Sequence, residues 1–323
     1  MKKKVRTNNM RVIFMGTPDF AVGTLHALAE SEHEILAVVT QPDKPKGRGK
    51  ALQPTPVKEE ALRYGIPVYQ PKKVREEEFQ AVLRELNPDL IVVVAFGQLI
   101  PKSILELPRY GCVNVHASLL PKYRGAAPIQ WAVIDGEKES GVTIMKMDEG
   151  LDTGDMIAKA VVPLAADETG GSLFDKLSQI GAQLLIDTIP ALEAGTAVCE
   201  KQPQESPTPY AAMLNKKMGL IDWNQDASVI ECLIRGLNPW PSAYTYLKGK
   251  TLKIWQAKVV ERQQEAEPGT VICVDKKQLV VACKTNALSI QRLQLEGKKQ
   301  METEAFLRGY TIDSGIQFRM NRE

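Results

Sequence analysis

Residues 90–95, Leu-Ile-Val-Val-Val-Ala, form an unbroken apolar run in which four of six side chains are β-branched. No apolar/polar alternation interrupts it, which suits a strand covered on both faces, as in a parallel sheet wrapped by helices. Working outward toward the N-terminus, Val12–Met15, Ile35–Thr40 and Ile66–Tyr69 read as further strands. Helical patterns separate them at Asp19–Ser31, Pro56–Tyr64 and Glu76–Leu86. Toward the C-terminus, Val113–His116, Gly141–Met147 and Ala158–Pro163 read as strands, and Ser172–Leu192 as a long amphipathic helix. This alternation predicts an α/β domain with a doubly wound, mostly parallel sheet.

A change of character follows residue 200. Residues 201–217 (KQPQESPTPYAAMLNKK) are rich in Pro and polar side chains and read as a linker. Beyond them come a short helix at Ala227–Arg235 and five short strands: Ala243–Leu247, Leu252–Val260, Thr270–Val274, Gln278–Ala282 and Leu288–Leu295. Strands at that spacing suggest a small barrel or sandwich. The expected division is a domain over 1–200, a linker over 201–217 and a second domain over 218–323.

Composition narrows the class. With 44% hydrophobic and 25% charged residues in 323, the chain is that of a soluble globular protein. The net charge of +2 shows no global bias, but from Lys216 onward 17 Lys and Arg face 12 Asp and Glu. A basic C-terminal third is compatible with a polyanionic partner. Five cysteines without a paired spacing suit a reducing compartment, and no apolar run approaches the ~20 residues needed to span a bilayer. A cytoplasmic location is expected. Met10 is a plausible alternative start, with residues 1–9 expected to fray.

The chemistry concentrates in GCVNVHASLLPKYRGAAPIQW (111–131) and LDTGD (151–155). Asn114 and His116 lie two residues apart, so in a strand both leave the same face, with Val113 and Val115 opposite. Asp152 falls in a loop composition. An amide, an imidazole and a carboxylate that converge on one carbon suit transfer of an acyl-type group. Singly, each has a blander reading: a turn residue, a core histidine, a turn cap. Elsewhere, Gly16 opens a turn in VIFMGTPDFA (12–21), but the G-x-G-x-x-G fingerprint is absent, which argues against a dinucleotide-dependent dehydrogenase. Three histidines offer no metal-ligand spacing, and no G-x-S-x-G signature occurs. No metal is expected. In TQPDKPKGRGK (40–50), Lys44, Lys46, Arg48 and Lys50 sit among prolines and glycines; it reads as an irregular, mobile surface loop.

These segments, with VVVAFGQLIP (92–101), GVTIMKMDEGLDTGD (141–155), IDW (221–223) and LNPWPSAY (237–244), resemble the 10-formyltetrahydrofolate-dependent formyltransferases. The resemblance runs in order along nearly the whole chain and is greatest to the branch acting on charged tRNA. It implies a Rossmann-like catalytic domain and a C-terminal barrel of the oligonucleotide-binding type. It further implies formyl transfer from 10-formyltetrahydrofolate to the α-amino group of methionine on initiator tRNA. Asn114 and His116 would meet the oxyanion, and Asp152 would orient His116 or accept the amine's proton. Phe96, Leu99, Ser118, Leu119, Leu120 and Pro121 would line the folate pocket, while Lys44, Lys46, Arg48 and Lys50 would contact tRNA. A monomer is expected. An amino-sugar formyltransferase would share the Asn, His and Asp, but the basic loop and basic C-terminal third argue against it. An intact N-x-H with LDTGD argues against a catalytically silent RNA-binding protein.

Overall fold

The computed structural model describes residues 9–46 and 51–322. In chain order the first elements are β1 (Arg11–Gly16), α1 (Asp19–Ala29), β2 (Glu34–Val39), β3 (Lys44–Lys46), β4 (Ala51–Gln53), α2 (Pro56–Arg63), β5 (Val68–Tyr69) and α3 (Glu77–Leu86). Then come β6 (Leu90–Val94), α4 (Lys102–Leu105), β7 (Cys112–His116), α5 (Pro128–Ile134), β8 (Glu139–Lys146), β9 (Met156–Pro163) and α6 (Gly170–Glu193). The remainder comprises α7 (Ala227–Gly236), β10 (Ala243–Leu247), β11 (Lys250–Val260), β12 (Val271–Val274), β13 (Leu279–Ala282), β14 (Ala287–Leu295), β15 (Met301–Glu302) and α8 (Thr303–Gly309). They form two compact units. The first holds the described residues up to Gly125 with 141–162 and 174–210; the second holds 126–140, 163–173 and the chain from Ala211 on.

The first unit is built on a seven-stranded sheet of order β5-β2-β1-β6-β7-β8-β9. The pairs β2–β5, β1–β2, β1–β6 and β6–β7 are parallel, while β7–β8 is antiparallel. Strand β6 lies within the unbroken apolar run 90–95, and every one of its residues is buried. Each such side chain contributes about 1.5–3 kcal/mol over exposure. One face carries Ile13, Met15, Ile91 and Val93 with Phe79 and Leu83 of α3. On the other face, α6 comes close at Gly181, where a Cβ would lie 2.9 Å from Val115 Cγ1. Asn114 and His116 alternate with Val115, so they point away from α6.

The segment expected to be an irregular loop is otherwise. Residues 44–46 and 51–53 pair as a two-stranded antiparallel ribbon, with Lys44 opposite Gln53 and Pro45 opposite Leu52. An isolated ribbon leaves one side of each strand unpaired, so a proline that lacks an N–H is tolerated there. Residues 1–8, Arg48 and Lys50 lie outside the described residues.

In the second unit, β10-β11-β14-β13-β12 form an antiparallel path, with β15 beside β14. Ile254, Val271, Val281, Leu288, Leu293 and Phe318 enter one core with Trp223 and Ile230. Register shifts in β11 mark bulges, which bend a sheet. The two end strands do not stay open. Val271 N donates to Ile316 O at 2.8 Å and Phe318 N to Gly269 O at 2.8 Å, on the β12 side. Tyr246 and Arg319 exchange two 3.0 Å backbone bonds on the β10 side. Residues 315–319 therefore seam the two edges together. Helix α5, absent from the sequence reading, begins at Pro128, a proline suited to a first helical turn, and packs closely on α7 at Gly236. Helix α8 and β15 were also not anticipated.

Candidate functional site

Strand β7 ends level with β6: Val93 pairs with Asn114, so Ala95 falls beside His116 at the carboxyl end of the sheet. That edge is where open α/β sheets build their sites. Asn114 is half-buried, and its carboxamide has no hydrogen-bond partner among the described residues. His116 is 6% exposed, with Nε2 3.0 Å from the carbonyl oxygen of Tyr123. A carbonyl only accepts, so Nε2 carries the proton and, in the neutral ring, Nδ1 presents its lone pair. That lone pair faces Asp152 Oδ1 at 3.7 Å. The other carboxylate oxygen accepts from Gly125 N at 2.9 Å. The sequence-expected trio thus contains one directly facing pair, His116 with Asp152, on the strand end that also carries Asn114.

Loop backbone around the pair is in uncommon conformations. Ala95, Tyr123 and Asp152 have φ of 46°, 56° and 55°. Such residues cost of order 1–3 kcal/mol each and persist only where neighbours hold them. Tyr123 is held through its N–H, which donates to Thr208 Oγ1 at 2.7 Å, and through its carbonyl on His116. In the Asp152 loop, Asp148 accepts from Gly150 N and Thr153 Oγ1. Gly154 is required there, because a Cβ would lie 1.8 Å from Lys146 O.

The six residues expected to line a ring-binding pocket divide by exposure. Leu99 is 75% exposed, whereas Phe96 is 2% exposed within the core and its carbonyl already accepts from Thr17 Oγ1 and Gln41 Nε2. Ser118 is buried and its hydroxyl donates to Lys122 O at 2.7 Å. Leu120 is buried with Met145 and Met156. Leu119 and Pro121 are half-buried. The accessible set is therefore Leu99, Leu119 and Pro121, with the exposed backbone of Ala95 and Gly97 beside His116.

Lys44, in the ribbon, is exposed. At the ribbon's base Asp43 accepts from Lys58 Nζ at 2.7 Å and Gln70 Nε2 at 2.6 Å. Those two bonds, the lysine's foremost, hold its carboxyl below the usual carboxylate range. Sequence reasoning missed Tyr123, Arg124 and Gln202. The first two sit inside the quoted YRG, but their work is done by backbone and by distant partners; Gln202 lay in the stretch read as linker.

A family model described as formyl transferase matches residues 10–189, and one described as formyl transferase, C-terminal domain, matches 213–311. Among curated relatives, a methionyl-tRNA formyltransferase of Agathobacter rectalis is 59% identical over 96% of this chain and 100% of its own length. One of Geobacter metallireducens is 52% identical over 95% of this chain and 98% of its own. Among solved structures, an N-formyltransferase of Helicobacter canadensis in complex with folinic acid and dTDP-3-aminofucose superposes with a TM-score of 0.66 at 19% identity, covering 87% of this chain and 99% of that one. HypX of Aquifex aeolicus in complex with tetrahydrofolic acid does so with 0.61 at 18%, over 98% of this chain and 51% of that one. These two likenesses are of fold. The matched models cover both units, and this chain belongs to the formyl transferase family.

Proposed function

We propose that the chain transfers the formyl group of 10-formyltetrahydrofolate to the α-amino group of methionine carried by initiator tRNA. The observation that carries the chemistry is the His116–Asp152 pair facing each other beside the strand end that also carries Asn114; the near-full-length relatives support the acceptor. The donor supplies an activated formyl carbon. The exposed apolar Leu99 and free backbone at Ala95 and Gly97 fit a flat ring that needs an apolar face and in-plane hydrogen bonds.

The amine nitrogen bonds to the formyl carbon, and the bond from that carbon to N10 of the folate breaks as N10 takes up a proton. The Asn114 amide, which has no partner among the described residues, donates to the formyl oxygen as charge develops there. The proton lost by the amine passes into the facing pair of His116 Nδ1 and Asp152 Oδ1. Its uptake on Nδ1 leaves an imidazolium bonded to Tyr123 O on one side and facing a carboxylate on the other. No metal takes part in this scheme.

For the tRNA, we assign Lys44, Lys46, Arg48 and Lys50 to the acceptor end, and the chain from residue 218 on to the body of the molecule. A cavity of about 350 Å³ lined by Tyr246, Lys248, Arg319 and Asn321 offers cationic and aromatic contacts of the kind phosphates and bases use. Transfer of radiolabelled formyl to Met-tRNA, free methionine and an amino sugar tests the reading. Label in Met-tRNA alone supports it; label in the sugar alone overturns the choice of acceptor.

A further inference from the structure

Arg124 is 8% exposed, and its hydrogen-bond partners among the described residues are all neutral. Its Nε and Nη2 both donate to Gln202 Oε1, at 3.0 and 2.9 Å. Further bonds reach the carbonyls of Pro203 at 2.7 Å and Gln204 at 3.1 Å. A buried cation without a counter-charge is costly, and nothing in the packing alone requires it. Its effect is on Gln202. With two guanidinium N–H groups on Oε1, the amide can face only one way, and Nε2 must point at the Asp152 loop. There it donates to Asp152 O at 2.9 Å and Gly154 O at 2.7 Å. These carbonyls bracket Thr153, so one amide group pins the turn in which Asp152 holds its positive φ.

The same stretch reaches the other half of the site. Ser206 Oγ donates to Pro121 O at 2.8 Å, and Thr208 Oγ1 accepts from Tyr123 N at 2.7 Å. Polar residues at 202, 204, 206 and 208 thus strap the loop that fixes the His116 proton and the loop that carries Asp152. We infer that Gln202, locked by Arg124, is a positioning residue that sets Asp152 against His116. The inference rests on the role given to Asp152 above.

Steady-state kinetics of the full chain with Met-tRNA and 10-formyltetrahydrofolate test it. Gln202→Ala should lower kcat about 10- to 100-fold, the scale of a misplaced catalytic group. KM for both substrates should stay within about twofold, since no binding contact is removed. Gln202→Glu keeps the size and pairs with Arg124 but cannot donate to the two carbonyls, so it should fold and show the same kcat loss. Arg124→Met should give a loss that does not add to that of Gln202→Ala. On an Asp152→Asn background, Gln202→Ala should change kcat by less than about twofold, because the group it positions is already gone. Wild-type kcat in Gln202→Glu, a full further loss on the Asp152→Asn background, or a rise in KM with kcat intact would each overturn the inference. Should Asp152→Asn itself be silent, the reading of the catalytic pair falls, and this inference with it.

Discussion

Asn114 and His116 share a strand face but differ in what their removal leaves behind. The Asn114 carboxamide has no partner among the described residues, so Asn114→Ala removes no bond from the fold. Its turnover should fall roughly 100- to 1000-fold, as for loss of one preorganised oxyanion donor, with the melting temperature unchanged or slightly higher. His116→Ala should lose comparable turnover and in addition about 1 kcal/mol of stability, because the buried Tyr123 carbonyl loses its donor. Thermal melts alongside single-turnover rates separate the two; equal destabilisation would mean that Asn114 has a structural bond. Asp152→Asn keeps the shape that meets Gly125 N but cannot take a proton, and activity within a few-fold of wild type would leave Asp152 a loop residue. The spacing of Asn114 and His116 was readable because a strand's period is two. Gln202 was not: its partners lie 48 and 50 residues away, and it binds their carbonyls, which carry no side-chain signature.

The ribbon β3–β4 shows where local composition misleads. Two prolines and two glycines between Gln41 and Lys50 read as irregular, yet two three-residue strands suffice for a ladder when neither needs a second neighbour. Its base is pinned by Asp43 with Lys58 and Gln70. Because this carboxyl is held below its usual value of 3.8 chiefly by the Lys58 bond, its stabilising effect is fully present above that value. The effect is lost as pH falls through the lower, folded value. The melting-temperature gap between wild type and Asp43→Asn should therefore be constant from pH 7 to about 5 and close in more acid solution; a gap that widens on acidification contradicts the assignment. Arg48→Ala should leave stability within about 0.5 kcal/mol, since a stretch so rich in Gly, Pro and Lys has little core to lose. It should lower kcat/KM for Met-tRNA by orders of magnitude through lost positioning while affinity for a folate analogue holds. Parallel losses in both would show that the ribbon shapes the folate pocket instead. β6 was legible because its apolar β-branched run is unbroken, and α6 because its periodicity extends over many residues; α5 was not, because Gly125 and Pro128 look like punctuation when one is in fact the residue that starts a helix.

The molecule comprises an α/β unit and a second unit built on an antiparallel sheet, whose chain from Lys216 on carries the surplus of basic residues. If that surplus meets RNA phosphate, Lys248→Gln should weaken Met-tRNA binding evenly across tRNA sequences and lower the slope of log affinity against log salt by about 1. An unchanged slope would take Lys248 out of the interface. The five longer strands of this unit were legible, but β15 and the closure were not, since residues 315–319 contribute isolated bridges rather than a strand with its own pattern. That closure makes folding a matter of timing. During synthesis β10 through β14 are complete at Leu295, while the residues that join β12 to β10 follow some twenty positions later. At about 5–20 residues per second, the closing segment is added on the order of one to five seconds after β14. A chain cut short after β14 would leave the β12 and β10 edges unpaired and open to the strands of other chains. Truncation before residue 315, rather than the weakening of any core contact, is the change expected to divert this chain into aggregates, and light scattering of the truncated and full chains checks it.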